Sequence, residues 1–165
     1  VSIEAIREII EIHALVKAPM LKPGQISPER FMLEHGRVFT VTPKTFLGPR
    51  GTPKECYSNS AKRSQRSRSP KLTYAEGYVY SFGIPIPHAF VVDDDGNVID
   101  PTLKIDEEAE RHYFGLAFDR GYHKVALLKS TYYSLLAHEG QGLRDIVQGR
   151  TAGMLSLKHH PEFAP

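Results

Sequence analysis

The chain has 165 residues, 41% hydrophobic and 24% charged, with 21 Lys plus Arg against 19 Asp plus Glu. That length suits a single domain over 1–165, and the composition excludes a disordered or fibrous chain. A formal charge of +2 is too balanced to announce a nucleic-acid binder, and one cysteine excludes an internal disulfide, a zinc ribbon or an iron–sulfur cluster.

No apolar run approaches the roughly 18 residues that a membrane span needs, so no membrane partner is expected. The opening VSIEAIREII lacks the basic, apolar and small segments of a signal peptide. Together with the lone cysteine, this reads as a cytoplasmic protein.

Residues 3–18 are predicted helical. Ile3, Ile6, Ile10 and His13 recur at helical steps, as do Ile9, Ile12 and Val16; Ser2 caps the start and Pro19 stops the end. The stretch APMLKPGQISPERF reads as loop, and Arg37 to Val41 as a short edge strand. Thr52-Pro53-Lys54-Glu55 has the form of a capping box with Pro at the first helical position, which predicts a helix from Thr52 to about Arg66. Cys56 then falls in its first turn. Leu72 to Phe82, Pro87 to Val92 and Asn97 to Thr102 read as strands, with DDDG as a turn. IDEEAERH suggests a loop or short helix. A further strand is expected within 113–128, best at Lys124 to Leu128. Ser130 to Gln148 suggests a helix interrupted by Gly140 and Gly142, and HHPEFAP a loose tail.

The chemistry centres on Cys56. A helix N-terminus favours a thiolate through its dipole and unpaired amides, although most free cysteines are simply small core residues. A thiolate enzyme also needs an imidazole to carry the proton and a carboxylate to hold the ring. His88 starts one predicted strand and Asp100 lies in the next. A three-residue turn, Asp94-Asp95-Gly96 with Gly96 left-handed, sets Asp93 against Asn97 and brings His88 diagonal to Asp100 on one face. A two-residue Asp95-Gly96 turn puts them on opposite faces.

The stretches Tyr74-Ala75-Glu76-Gly77-Tyr78, His88-Ala89-Phe90-Val91-Val92 and Asp100-Pro101-Thr102, in that order behind Cys56, resemble the core of transglutaminase-like and papain-like cysteine enzymes. The resemblance covers about residues 52–103. It implies an α+β fold in which a nucleophile helix packs on an antiparallel sheet, with helices at both chain ends covering other parts of that sheet. It also implies Cys56 as nucleophile, His88 as general base and acid, and Asp100 as imidazole orienter. Phe90 stands where such enzymes often carry Trp. The residues before Cys56, GPRGTPKE, hold none of the Gln that papain-type enzymes use as oxyanion donor. The Cys56 amide and one further group must then serve. Asn59, Tyr57, Tyr74, Tyr78 and Phe90 are the candidates for completing the oxyanion site or lining the substrate.

The implied reaction is acyl transfer through a thioester, on a protein or peptide amide, glutamine above all. Hydrolysis, deamidation and cross-linking all remain open. No cofactor is implied. The histidines lack H-E-x-x-H or Cys/His spacing, and Asp93-Asp94-Asp95 lacks the calcium-loop pattern, so no metal site is expected. Residues 62–71, KRSQRSRSPK, carry five basic residues and no acid. They read first as a solvated helix end and loop; contact with nucleic acid, or an approach that favours acidic substrates, are the other readings. Tyr113, Phe114, Leu116 and Phe118 read as core, wall or acyl-pocket residues. The rival function is a catalytically silent module of the same fold that sequesters a protein or anionic partner through 62–71. An acetyl-coenzyme A-dependent arylamine transferase is a third reading, for which the chain is short.

Overall fold

A computed structural model describes residues 2–104 and 110–165. It is an α+β fold. The described residues form five α-helices, α1 (Ser2–Lys17), α2 (Pro28–His35), α3 (Cys56–Arg66), α4 (Arg120–Leu128) and α5 (Gln141–Val147). They also form five strands, β1 (Arg37–Phe39), β2 (Thr73–Ser81), β3 (Ile84–Val92), β4 (Val98–Ile99) and β5 (His112–Ala117). Among the described residues no helix is long and apolar enough to cross a membrane.

The first helix forms where its periodicity places it. Ile6 and Ile10 are fully buried, whereas Ile12 and Val16 of the second stripe are exposed. The stretch expected as loop, 18–31, ends in the first turn of α2. Ser27 caps it, accepting from the Arg30 amide at 3.1 Å, and Pro28 sits at the first position. Such a cap stabilises a helix by about 1 kcal/mol, enough here to override the Pro and Gly of the segment before it.

The sheet runs β1-β5-β2-β3-β4, every neighbour antiparallel. β2 and β3 join through Phe82-Gly83, both left-handed at φ 53 and 80°, the two-residue turn that matches strand twist. The sheet then curls on itself. Thr40, just past edge strand β1, donates to Gly96 O at 3.0 Å and accepts from Val98 N at 2.8 Å beside the opposite edge β4. The curled interior is filled by Phe39, Ala75, Val79, Phe90, Val92, Val98, Tyr113 and Ala117, with no helical residue among them. The outer face, with Tyr74, Tyr78, Phe114, Leu116 and Phe118, packs against Ile6, Ile10, Phe31, Met32, Ala61, Ala126 and Ile146 of the helices.

Gly77 shows how tightly the strands approach. It pairs with Gly115 on one side and His88 on the other. A Cβ on Gly77 would lie 2.2 Å from Phe114 O and 2.5 Å from Gly115 Cα. These are backbone atoms, so relief requires β2 and β5 to part. Gly77→Ala is therefore expected to cost about 3 kcal/mol in urea unfolding, and an unchanged midpoint would refute this packing.

Three expectations for the C-terminal half are corrected. Lys124 to Leu128 is helical, not a strand. Asp119 caps α4 by accepting from Tyr122 N at 2.9 Å, and this local cap prevails over the β-favouring side chains. Of Ser130 to Gln148 only Gln141–Val147 is α-helix; the residues before it bend around a buried carboxylate described below. The tail is not loose. His160 is fully buried and its Nε2 accepts from Ala117 N at 2.9 Å, which needs a neutral ring. Burial pushes that ring down to about 4. Phe163 packs edge-on against Phe31, 5.8 Å between centroids. Most of IDEEAERH lies outside the described residues; its last residue, His112, opens β5.

Candidate active site

Cys56 is the first residue of α3, so the helix starts later than the capping-box reading places it. Lys54 is left-handed at φ 67°, Glu55 occupies the N-cap, and no side chain caps the helix. Long-range ties compete with the local box. Gly51 N donates to Pro101 O at 2.8 Å, and Asn59 Nδ2 donates to Thr52 O at 2.8 Å and Thr102 Oγ1 at 2.9 Å. Residues 51–55 are thus held as a loop against the segment that carries Asp100. A Cβ at 51 would sit 1.9 Å from the Asn59 side chain, so a larger residue there displaces Asn59 from these ties. The uncapped first turn leaves backbone N–H groups beside the sulfur.

The β3–β4 connection is the three-residue turn. Asp93 N donates to Asn97 O at 3.0 Å, Gly96 is left-handed at φ 80°, and Val91 pairs with Ile99. His88 Nε2 lies 2.7 Å from Asp100 Oδ2. Strand β4 pairs only with Val91 and Val92, so β3 from Phe90 back is free of it, and Asp100 and the start of α3 come alongside there. The Cys56 side chain lies close enough to the His88 ring to be among the groups that raise it. With Nε2 taken by Asp100, Nδ1 is the nitrogen left for it.

Asp100 has partners on both carboxylate oxygens. Its Oδ1 accepts from Thr102 N at 2.8 Å and Leu103 N at 2.9 Å. Its Oδ2 accepts from Tyr113 Oη at 2.8 Å as well as facing His88. Burial pushes the Asp100 acid up, but the ring and these donors hold it below its ordinary value. Burial likewise disfavours a charged His88. The Asp100 carboxylate, by charge and hydrogen bond, overrides that with help from the sulfur and raises the ring to about 9. The pair is therefore built for an imidazolium at neutral pH.

The remaining candidates separate. Asn59 has both amide hydrogens engaged in the loop ties and is not free to bind an oxyanion. Tyr74 is fully buried, donates to Glu76 at 2.9 Å and stacks on His123, so it does not line substrate. Phe90 is an interior wall, 5.0 Å from Tyr113 and 5.6 Å from Phe39 between centroids. Tyr78 bonds His13 at 3.1 Å and rims a hollow of about 240 Å³ with Tyr57, Gly77 and Pro87, next to His88. A second hollow of about 420 Å³ opens on the other side of Tyr57, lined by Glu55, Lys62, Tyr132 and Tyr133. Tyr57 is the ridge between them, one residue from a sulfur-bearing side chain that is 8% exposed.

Tyr113 and the Thr102 and Leu103 amides were not legible as Asp100 partners. Tyr113 reads as one aromatic in an apolar strand, and only the register Val79 to Tyr113 brings its hydroxyl over Asp100. Comparison with family models, curated proteins and solved structures found no match to the chain.

Proposed function

We propose that the chain is a cysteine-dependent acyl-transfer enzyme of papain-like or transglutaminase-like type, acting on protein or peptide amides, glutamine in particular. The observation that carries this reading is the line from Asp100 through His88 to the sulfur at the first residue of a helix. The Cys56 sulfur attacks the amide carbonyl, and the carbonyl oxygen takes up negative charge against the Cys56 N–H. His88 gives its proton to the departing nitrogen as the C–N bond breaks, leaving a thioester. Water or an amine then attacks the thioester, His88 removes its proton, and the sulfur is released. The steps balance without a cofactor, and a thiol that must stay reduced suits the cytoplasm.

One observation favours the rival, a silent binding module: Cys56 is only 8% exposed. Iodoacetamide decides between them. A free thiol is well under 1% thiolate at pH 6, taking a pKa of about 8.5. An imidazolium-paired sulfur is expected to label about 100-fold faster than that, and His88→Ala to abolish the advantage. Slow labelling indifferent to His88 would favour the silent module.

A further inference from the structure

The basic stretch is continuous with the candidate active site. Cys56, Asn59, Arg63 and Arg66 stand at i, i+3, i+7 and i+10 of α3 and so share one helix face. Below the nucleophile that face opens into a hollow of about 250 Å³ lined by Arg50, Gly51, Asn59, Lys62, Arg63 and Arg66, with two prolines. No acid lines it. Among the described residues neither Arg63, Arg66 nor Lys62 has a carboxylate partner. Lys62 instead lies over the Tyr133 ring, 5.4 Å from its centroid. Arg50 donates to Leu103 O and Phe46 O, which anchors the hollow to the loop that carries Asp100. Lys62 also lines the hollow beside Tyr57, so the basic hollow and the tyrosine-lined hollow share a wall, the latter lined by Glu55 and Tyr57 on either side of Cys56 in the chain.

We infer that this hollow binds an acidic side chain of a polypeptide substrate, three to five residues from the residue whose carbonyl Cys56 attacks. The inference rests on the reading of Cys56 as nucleophile. The spacing follows from geometry. Arg63 and Arg66 lie about 10 and 15 Å along the helix from Cys56 at 1.5 Å per residue. An extended peptide covers that span in about three to five residues at 3.3 Å each. A carboxylate matches the paired guanidiniums. Nucleic acid fits less well, since no aromatic side chain lines the hollow to stack a base.

Chloroacetyl peptides test this, because the Cys56 sulfur displaces chloride and forms a stable thioether whatever the natural reaction. Peptides carrying three Asp at positions three to five are compared with Lys counterparts. The reactive carbon is placed at the N-terminus in one pair and, as a chloromethyl ketone, at the C-terminus in the other. In one orientation the Asp peptide is expected to label Cys56 about tenfold faster at low salt, a preference that shrinks as salt rises. In Arg63→Gln/Arg66→Gln the ratio falls to about one while the iodoacetamide rate is unchanged. A ratio near one in both orientations of the wild-type protein, or one that survives the double substitution, overturns the inference. So does a decathymidylate that protects Cys56 better than an Asp peptide of equal charge, which would assign the hollow to nucleic acid. Iodoacetamide rates in His88→Ala judge the nucleophile separately, so the two readings fail independently.

Discussion

Asp100→Asn is expected to slow iodoacetamide labelling of Cys56 at pH 7 by about 100-fold while leaving the protein folded. The asymmetry of the Asp100 environment dictates this. Its Oδ1 is held by two backbone amides, Thr102 N and Leu103 N, which only an oxygen can satisfy. The asparagine oxygen therefore takes that position, and its NH2 turns toward His88 and Tyr113. Tyr113 can rotate its hydroxyl and accept. His88 Nε2 must then accept too, so the ring keeps its proton on the nitrogen facing the sulfur and cannot carry a second. Burial, the strongest influence on this ring, already disfavours its charge, and the carboxylate that overrode it is gone. The pH profile carries the sign. On the proposed mechanism wild-type labelling at neutral pH relies on a charged ring, and the ring loses its charge as pH rises through about 9. In Asp100→Asn the ring is neutral throughout the neutral range, so the advantage that a charged ring gives the wild type is lost. A variant profile that overlays the wild type would remove Asp100 from the machinery.

Much of this site was legible because its signals are short-range. The three-residue turn at 94–96 depends on a glycine able to take φ 80°, and the alternation of two strands then carries His88 and Asp100 to one face. The α1, β2 and β3 elements follow from periodicity in the same way. What was misread lies where distant groups outcompete local ones. Thr52 and Glu55 have the form of a capping box, but Asn59 and Pro101 claim the 51–52 backbone. Asn59 looked like an oxyanion donor because its sequence position is right, and nothing local reveals that Thr52 and Thr102 consume its hydrogens. His160 looked like surface tail because its partner, the Ala117 amide, is 43 residues away. The α2 helix is the exception, since Ser27-Pro28 is a local start signal obscured only by the Pro and Gly just upstream.

Glu76 is the largest feature that sequence reading left without a role, and it links the fold to the cleft. It sits in β2 one residue before Gly77, 3% exposed, within the outer core. Leu135 N donates to its Oε2 at 2.7 Å and Leu136 N to its Oε1 at 3.0 Å, while the Ser134 and Tyr74 hydroxyls donate one to each oxygen. The segment it holds lines both hollows beside Tyr57: Leu136 and Ala137 on one side, Ser134 on the other. Glu76→Gln is nearly isosteric yet is expected to cost about 3 kcal/mol in urea unfolding at pH 7. The hydroxyls can rotate to accept from an amide. The two backbone N–H groups cannot, and each oxygen carries one of them, so either orientation of the glutamine sets an NH2 against an N–H. Burial pushes the Glu76 acid upward, more than its donors pull it back, so its folded value lies above the ordinary one. A raised folded value means that wild-type stability declines as pH rises through it. Glu76→Gln removes that decline, so the stability gap between the two proteins is widest at low pH and narrows as pH rises. A variant as stable as wild type, or a gap independent of pH, would mean that the 134–137 segment is held by its apolar contacts alone. In that case the walls of the cleft would owe their position to Leu135 and not to the carboxylate beneath them.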